Sequence, residues 1–226
     1  YVSPERLKSE LFLERFKQMP VNLIAVDEAH CISQWGYDFR PPYLEIAEIK
    51  PFHPNVPILA LTASATPQVV DDIQEKLEMK NPVIFRQSFA RENLGYHVRM
   101  VENKLVKAKE ILSRIPGSAI WYVRNRQATQ DIAKALGQLG ISATYYHAGM
   151  SMADRAKRQQ EWMKGNVRVM VATNAFGMGI DKPDVRIVLH SDVPENIESY
   201  YQEAGRAGRD GKPAYAVLLC SEENLE

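Results

Sequence analysis

Asp27, Glu28, Ala29 and His30 follow an apolar run from Val21 to Val26, and far downstream the chain reads Gln202-Glu203-Ala204-Gly205-Arg206-Ala207-Gly208-Arg209-Asp210. An acidic pair at the end of a buried strand can hold a divalent cation and orient a water, and a loop with paired arginines can neutralise charge building on a phosphate. Together they read as two halves of a nucleotide-hydrolysing machine. A strand end is the usual place for ligands in an open α/β sheet, which makes Asp27 the candidate for Mg2+ held through water. Glu28 is then the candidate base for the attacking water. Capping of the following helix is the competing use of both acids. No His-Glu-x-x-His occurs, which removes a zinc-protease reading.

Arg206 and Arg209 are three apart, so on a helical start both face one way, and Gly205 and Gly208 let the backbone approach a neighbour closely. An arginine finger contributes ~10³ to 10⁵ in rate. The competing account is a surface salt bridge with Glu203 or Asp210, which is worth little.

Trp35 and Phe39 lie in a polar, glycine-containing segment where large rings need a reason to be. Stacking on bases supplies one, at ~1 to 3 kcal/mol per base whatever the sequence. Arg40 beside them can take a phosphate. The alternative is a small satellite core under the loop. Thr62, Ser64 and Thr66 put three hydroxyls after an apolar strand, although a helix cap explains Thr66 equally well. Ser3 and Arg6 at one strand end, and Thr173 at another, are donors of the kind that position a phosphate backbone without reading bases. Turn and cap chemistry competes there.

The elements that must hold these residues are legible as apolar runs: Leu23 to Val26, Ile58 to Leu61, Ala119 to Val123, Val167 to Val171, Val185 to Leu189 and Ala214 to Leu219. Their alternation with segments of helical period predicts an α/β chain with parallel sheets flanked by helices on both faces. Leu105, Ala108, Leu112 and Ile115 form one helical stripe, and Ala128, Ile132, Leu136 and Leu139 another. Thr66-Pro67 opens a helix through Leu77, and Ser151 with Asp154 resembles a capping box. The polar stretch Arg86 to Asn93 is the candidate linker between a domain of residues 1–90 and one of 91–226.

The 226 residues are 45% hydrophobic and 25% charged, ordinary globular material. No apolar run is long enough to span a bilayer and the start lacks a secretory signal, so the expectation is a cytoplasmic protein, nucleoid-associated if bacterial, with no membrane partner. Cys31 and Cys220 read as separate buried thiols, with neither a disulfide framework nor a zinc site indicated. Zero formal charge lacks the basic excess of a protein that coats nucleic acid, so any polyanion site must be a local groove. The opening Tyr1-Val2-Ser3-Pro4-Glu5-Arg6 reads as the end of a strand entering a helix, in a piece of something longer.

The run from Asp27 through Gln34, Trp35, Gly36, Tyr37, Asp38, Phe39 and Arg40 to Pro41 resembles motif II and the aromatic-rich loop of RecQ-family DNA helicases, of superfamily 2. Ser3 to Leu7 resembles motif Ib, Ala60 to Thr66 motif III, Tyr146-His147-Ala148-Gly149 the segment after motif IV, Val171 to Pro183 motif V, and Gln202 to Gly211 motif VI. The resemblance implies two RecA-like domains whose shared cleft binds ATP and Mg2+, the first truncated at its N-terminus, with single-stranded or partly duplex DNA on the opposite face. It implies 3′ to 5′ translocation in DNA repair or recombination. It puts His30, Gly179, Asp181 and Gln202 at the ATP cleft, and Gln34, Thr62, Ser64 and Thr66 in coupling that cleft to DNA. The chain departs from the pattern in having no Gly-x-x-x-x-Gly-Lys-Ser/Thr, since its Gly211-Lys212 runs into Pro213. The chain alone is therefore expected not to hydrolyse ATP. Tyr37 stands where the family commonly has His, and Val123-Arg124 where it commonly has Cys-Asn. Two rival readings are a non-catalytic nucleic-acid clamp or partner-binding module with a decayed ATP site, and an ATP-driven RNA helicase or remodeller. The aromatic loop argues against the last.

Overall fold

The computed structural model describes residues 1–221 apart from 37, 64, 89, 178 and 179. The chain divides into two compact units, Tyr1–Ser88 and Phe89–Glu226.

In the first unit, strands β1 (Ile24–Val26) and β2 (Ile58–Ala60) pair in parallel, with Val26 opposite Ala60. Helix α1 (Glu10–Gln18) precedes them and α2 (Pro67–Lys76) follows. Thr66 caps α2 by accepting from the Val69 amide, and Val69, Ile73 and Leu77 bury one stripe at four-residue spacing. A run of 3₁₀ turns, Pro41–Phe52, buries Tyr43, Ile46 and Ile49, three residues apart as three residues per turn requires. Residues 1–3 are irregular and exposed, and a 3₁₀ turn, Pro4–Lys8, follows. Among the described residues, Ser3 stands before this turn and Arg6 within it, where a strand end entering a helix was expected.

The second unit is one six-stranded parallel sheet: β3 (Leu94–Met100), β4 (Ser118–Tyr122), β5 (Ala143–Tyr146), β6 (Val169–Ala172), β7 (Val185–His190) and β8 (Ala214–Cys220), in the order β3-β8-β7-β4-β6-β5. Helices α3 (Lys104–Arg114), α4 (Arg126–Gln138), α5 (Met152–Met163) and α6 (Ile197–Ala204) connect them. Each opens on a side-chain cap: Asn103, Asn125, Ser151 and Asn196 accept from the amide three residues on. The Ser151 hydroxyl also donates to Asp154.

Trp162 lies fully buried, its indole N–H donating to the Ala119 carbonyl at 3.1 Å and its ring edge-on to Phe176. Helix α4 buries Thr129, Ala133 and Leu136, with Ala128 and Ile132 partly buried and Leu139 38% exposed. Its inward face is thus turned about one residue from the expected stripe. Both cysteines are buried and free. Among the described residues, no helix is long and apolar enough to cross a membrane.

Candidate functional site

Beyond the ends of β1 and β2 the backbone pairing continues: the Leu61 amide donates to the Val26 carbonyl at 2.8 Å and the Ala29 amide to the Leu61 carbonyl at 2.9 Å. That fixes Asp27 and Glu28 beside Thr62. Glu28 adopts φ 50°, ψ 43°, a left-handed conformation uncommon outside glycine, and a 3₁₀ turn, Ala29–Ile32, starts there. His30, 1% exposed, holds Nδ1 3.0 Å from the Thr62 hydroxyl and 3.4 Å from the Glu28 carboxylate. Burial pushes the His30 pKa down, with Asp38 and Asp27 opposing in part. Glu28 makes no side-chain cap hydrogen bond to the turn, so the capping reading of Glu28 does not hold.

Asp27 is exposed, and one of its oxygens accepts from the Glu28 amide at 2.9 Å. Tyr43 donates its hydroxyl to the Asp27 carbonyl at 3.2 Å. Among the described residues no group of three or more His, Cys, Asp or Glu could hold a metal ion. A single exposed carboxylate fits magnesium, which keeps several waters and binds through one or two carboxylates plus phosphates.

The aromatic segment leaves and rejoins this turn through a tied neck. The Arg40 amide donates to the Cys31 carbonyl at 2.8 Å. The buried Ser33 hydroxyl accepts from the Trp35 amide at 3.1 Å and donates to Asp72 of α2 at 2.5 Å. Trp35 stands 69% exposed, so it forms no satellite core, whereas Phe39 is half-buried and Gln34 exposed. Arg40 is ion-paired with Glu5 at 2.5 Å and lies over the Tyr43 ring. The Glu5 carboxyl is held below its usual range by backbone hydrogen bonding and the Ser3 hydroxyl, with Arg40 adding to them. Ser3 and Arg40 thus meet through Glu5, while the exposed Arg6 donates its amide to the Ser3 carbonyl and accepts from the Ser9 amide. Glu5, Ser33, Tyr43 and Asp72 were not singled out from the sequence: nothing in their spacing marks them. Ser64 lies outside the described residues.

In the second unit the arginines do not begin a helix. Helix α6 ends at Ala204, and Arg206 and Arg209 sit in the turns behind it, where the amides of 206 and 207 bond three residues back and Gly208 turns the chain at φ +64°. Arg206 donates to the Gly177 carbonyl at 2.6 Å, and a Cβ on Gly177 would lie 2.4 Å from the guanidinium, so a side chain there would displace it. The Arg206 Nε is buried without a partner. Arg209 donates to the Asp181 carboxylate at 2.9 Å and the Ile180 carbonyl at 3.1 Å. Glu203 instead meets His190 at 2.9 Å and Asp210 meets Arg186 at 2.5 Å, so neither expected salt bridge forms. Thr173 directly follows β6, 7% exposed. Gln202 is half-buried, and Gly179 lies outside the described residues.

A cavity of about 130 Å³ lies at the C-terminal ends of β4 and β7, lined by Tyr122, Arg124, Asn174, His190, Asp192 and Glu203 among others. The connections from these adjacent strands leave in opposite directions, toward β5 and β8, the topological switch point where open α/β sheets bind ligands. The Arg124 amide donates to Asp192 at 3.0 Å and its guanidinium to the Val193 carbonyl at 2.9 Å. A polar His190-Ser191-Asp192 closing an apolar strand was the available signal for this place.

The DEAD/DEAH box helicase model matches residues 1–73, and the helicase conserved C-terminal domain model matches residues 103–211. The ATP-dependent DNA helicase RecQ of Haemophilus influenzae is 46% identical over 97% of this chain. The chain belongs to the RecQ family of helicases. Other RecQ-like relatives include the RecQ-like DNA helicase blm-1 of Caenorhabditis elegans, 42% identical over 98% of this chain, and the probable helicase RecS of Bacillus subtilis, 37% over 100%. The chain spans only 36%, 23% and 46% of the lengths of these three relatives. The solved helicase Lhr of Mycobacterium smegmatis, bound to single-stranded DNA and AMP-PNP, shares the RecA-like fold with a TM-score of 0.76. Its identity is 20%, covering 96% of this chain and 30% of that one. Dbp5 of S. cerevisiae, bound to RNA and ADP BeF3, gives 0.70 at 21% identity, covering 95% and 57%.

Proposed function

We propose that this chain carries hydrolysis, charge-stabilising and DNA-gripping residues of an ATP-dependent DNA helicase. The observation that carries the reading is the contact of buried His30 with both Glu28 and Thr62, which joins the acidic turn to the strand end that follows β2. Glu28 takes the proton from the attacking water. Asp27 would hold Mg2+, and the ion would supply positive charge to the ATP phosphates when bound. Arg206 and Arg209 offset charge on the transferring phosphoryl group, an effect worth ~10³ to 10⁵ in rate. Asp181 orients Arg209, and Gln202 and Gly179 belong to the same nucleotide-responsive segments.

Trp35 and Phe39 stack on bases of single-stranded or partly duplex DNA, while Ser3, Arg6, Arg40 and Thr173 hold backbone phosphates. Gln34, Thr62, Ser64 and Thr66 couple the nucleotide state to that grip, since a ligand shifts a conformation only by its differential affinity for the two states. Alternating grips move the protein 3′ to 5′, in the cytoplasm, during repair or recombination. The names of the relatives and the two matched helicase models support this reading.

The sequence has no Gly-x-x-x-x-Gly-Lys-Ser/Thr cradle, so this chain alone does not turn over ATP. DNA-stimulated ATP hydrolysis by the full-length protein, measured beside this chain, tests the proposal. Stimulated turnover in the former and none in the latter is expected; a full-length protein that binds DNA without hydrolysing ATP contradicts it and favours a clamp.

A further inference from the structure

The first residues of the second unit end on the arginine loop. Arg91 donates through Nη1 to the Gly205 carbonyl at 3.3 Å and through Nη2 to the Ala207 carbonyl. Asn93 donates its amide to the Gly208 carbonyl at 2.7 Å and the Lys212 carbonyl at 2.9 Å. Its own carbonyl accepts from the Ala214 amide at 2.8 Å, the bond that starts the pairing of β3 with β8. Gly208 has φ +64°, and a Cβ there would lie 2.6 Å from Asn93 Nδ2, so both the turn and the close approach require glycine.

These acceptors are spaced around the two arginines. The carbonyls of 205 and 207 flank Arg206, and that of 208 immediately precedes Arg209. Behind helix α6 the amides of 206 and 207 reach the carbonyls of 203 and 204 and those of 208 and 210 reach the Val185 and Pro183 carbonyls, while Arg91 and Asn93 add side-chain donors to the carbonyls of 205, 207 and 208. A guanidinium suits the task because its planar fork reaches two carbonyls in one fixed geometry, which the single ammonium of lysine does not.

We propose that Arg91 and Asn93 are positioning residues for the arginine loop. They set the direction in which Arg206 and Arg209 leave the backbone, and through it the charge delivered to the transferring phosphoryl group. The inference rests on the reading of Arg206 and Arg209 above.

The test compares Arg91→Lys, Arg91→Ala, Asn93→Ala and Arg206→Ala in the full-length protein, measuring kcat, KM for ATP, single-stranded DNA affinity and thermal melting. A misplacement of about 1 Å can cost ~10²-fold, so Arg91→Lys and Asn93→Ala are expected to lower kcat about 10- to 100-fold. KM and DNA affinity stay near wild type, and added guanidinium restores part of the Arg91→Ala turnover. Wild-type kcat in the Arg91 and Asn93 variants beside an inactive Arg206→Ala overturns the positioning role alone. So does a loss of kcat that follows a lowered melting temperature and resists guanidinium. Normal turnover by Arg206→Ala overturns the arginine reading and this inference with it.

Discussion

The His30 imidazole, buried beneath the acidic turn, stands 3.0 Å from the Thr62 hydroxyl, which lies 32 positions later in the chain. Removing the hydroxyl while keeping the shape removes one buried hydrogen bond, a net loss of ~0.5 to 1.5 kcal/mol. Thr62→Val is therefore expected to lower the urea midpoint of the chain by a corresponding amount. In the full-length protein it weakens DNA stimulation of ATP hydrolysis more than it changes KM for ATP.

Trp35 offers a large ring that is mostly exposed, so its removal leaves the fold alone. Trp35→Ala should weaken single-stranded DNA binding by ~1 to 3 kcal/mol, about 5- to 150-fold, with an unchanged melting temperature. Fluorescence anisotropy at fixed salt reads the first and a thermal melt the second. Unchanged affinity would return the ring to ordinary surface.

Trp162 presents the opposite case, since both its ring and its N–H are committed inside the second unit. Trp162→Ala should destabilise that unit by ~3 to 5 kcal/mol in denaturant unfolding. A cost under ~1 kcal/mol would mean the site collapses around the cavity.

His147, 7% exposed, closes β5, and burial with Arg126 and Arg158 holds its pKa below the ordinary 6.5. The unfolded chain takes up the proton first, so this contribution to stability is intact above pH 6.5. It is lost as pH falls through that value toward the lower folded pKa, and then levels off. His147→Gln should flatten the slope of stability against pH in this window, measured by urea unfolding at stepped pH.

What the sequence made legible follows burial. Strands β4 and β6 are buried along their whole length, so they read as unbroken apolar runs and were expected within a residue or two. The edge strands β3 and β5 were missed, because an edge carries Gly95, His97, Arg99 and Thr144 among its apolar residues and loses the run. The acid turn and the arginine loop were readable because each concentrates unusual residue types in a few positions. Their supports were not: Glu5 for Arg40, Asp72 for Ser33, Asp181 for Arg209 and Arg91 for the carbonyls around Arg206 all act across 28 or more positions. Such pairs are made by the fold, and local spacing carries no trace of them.

Glu28→Gln in the full-length protein tests the central claim most directly, because the amide keeps the shape and loses the basicity. ATP binding at wild-type affinity with turnover reduced to background is the expected result. Turnover at the wild-type rate would remove Glu28 from the chemistry and the account with it.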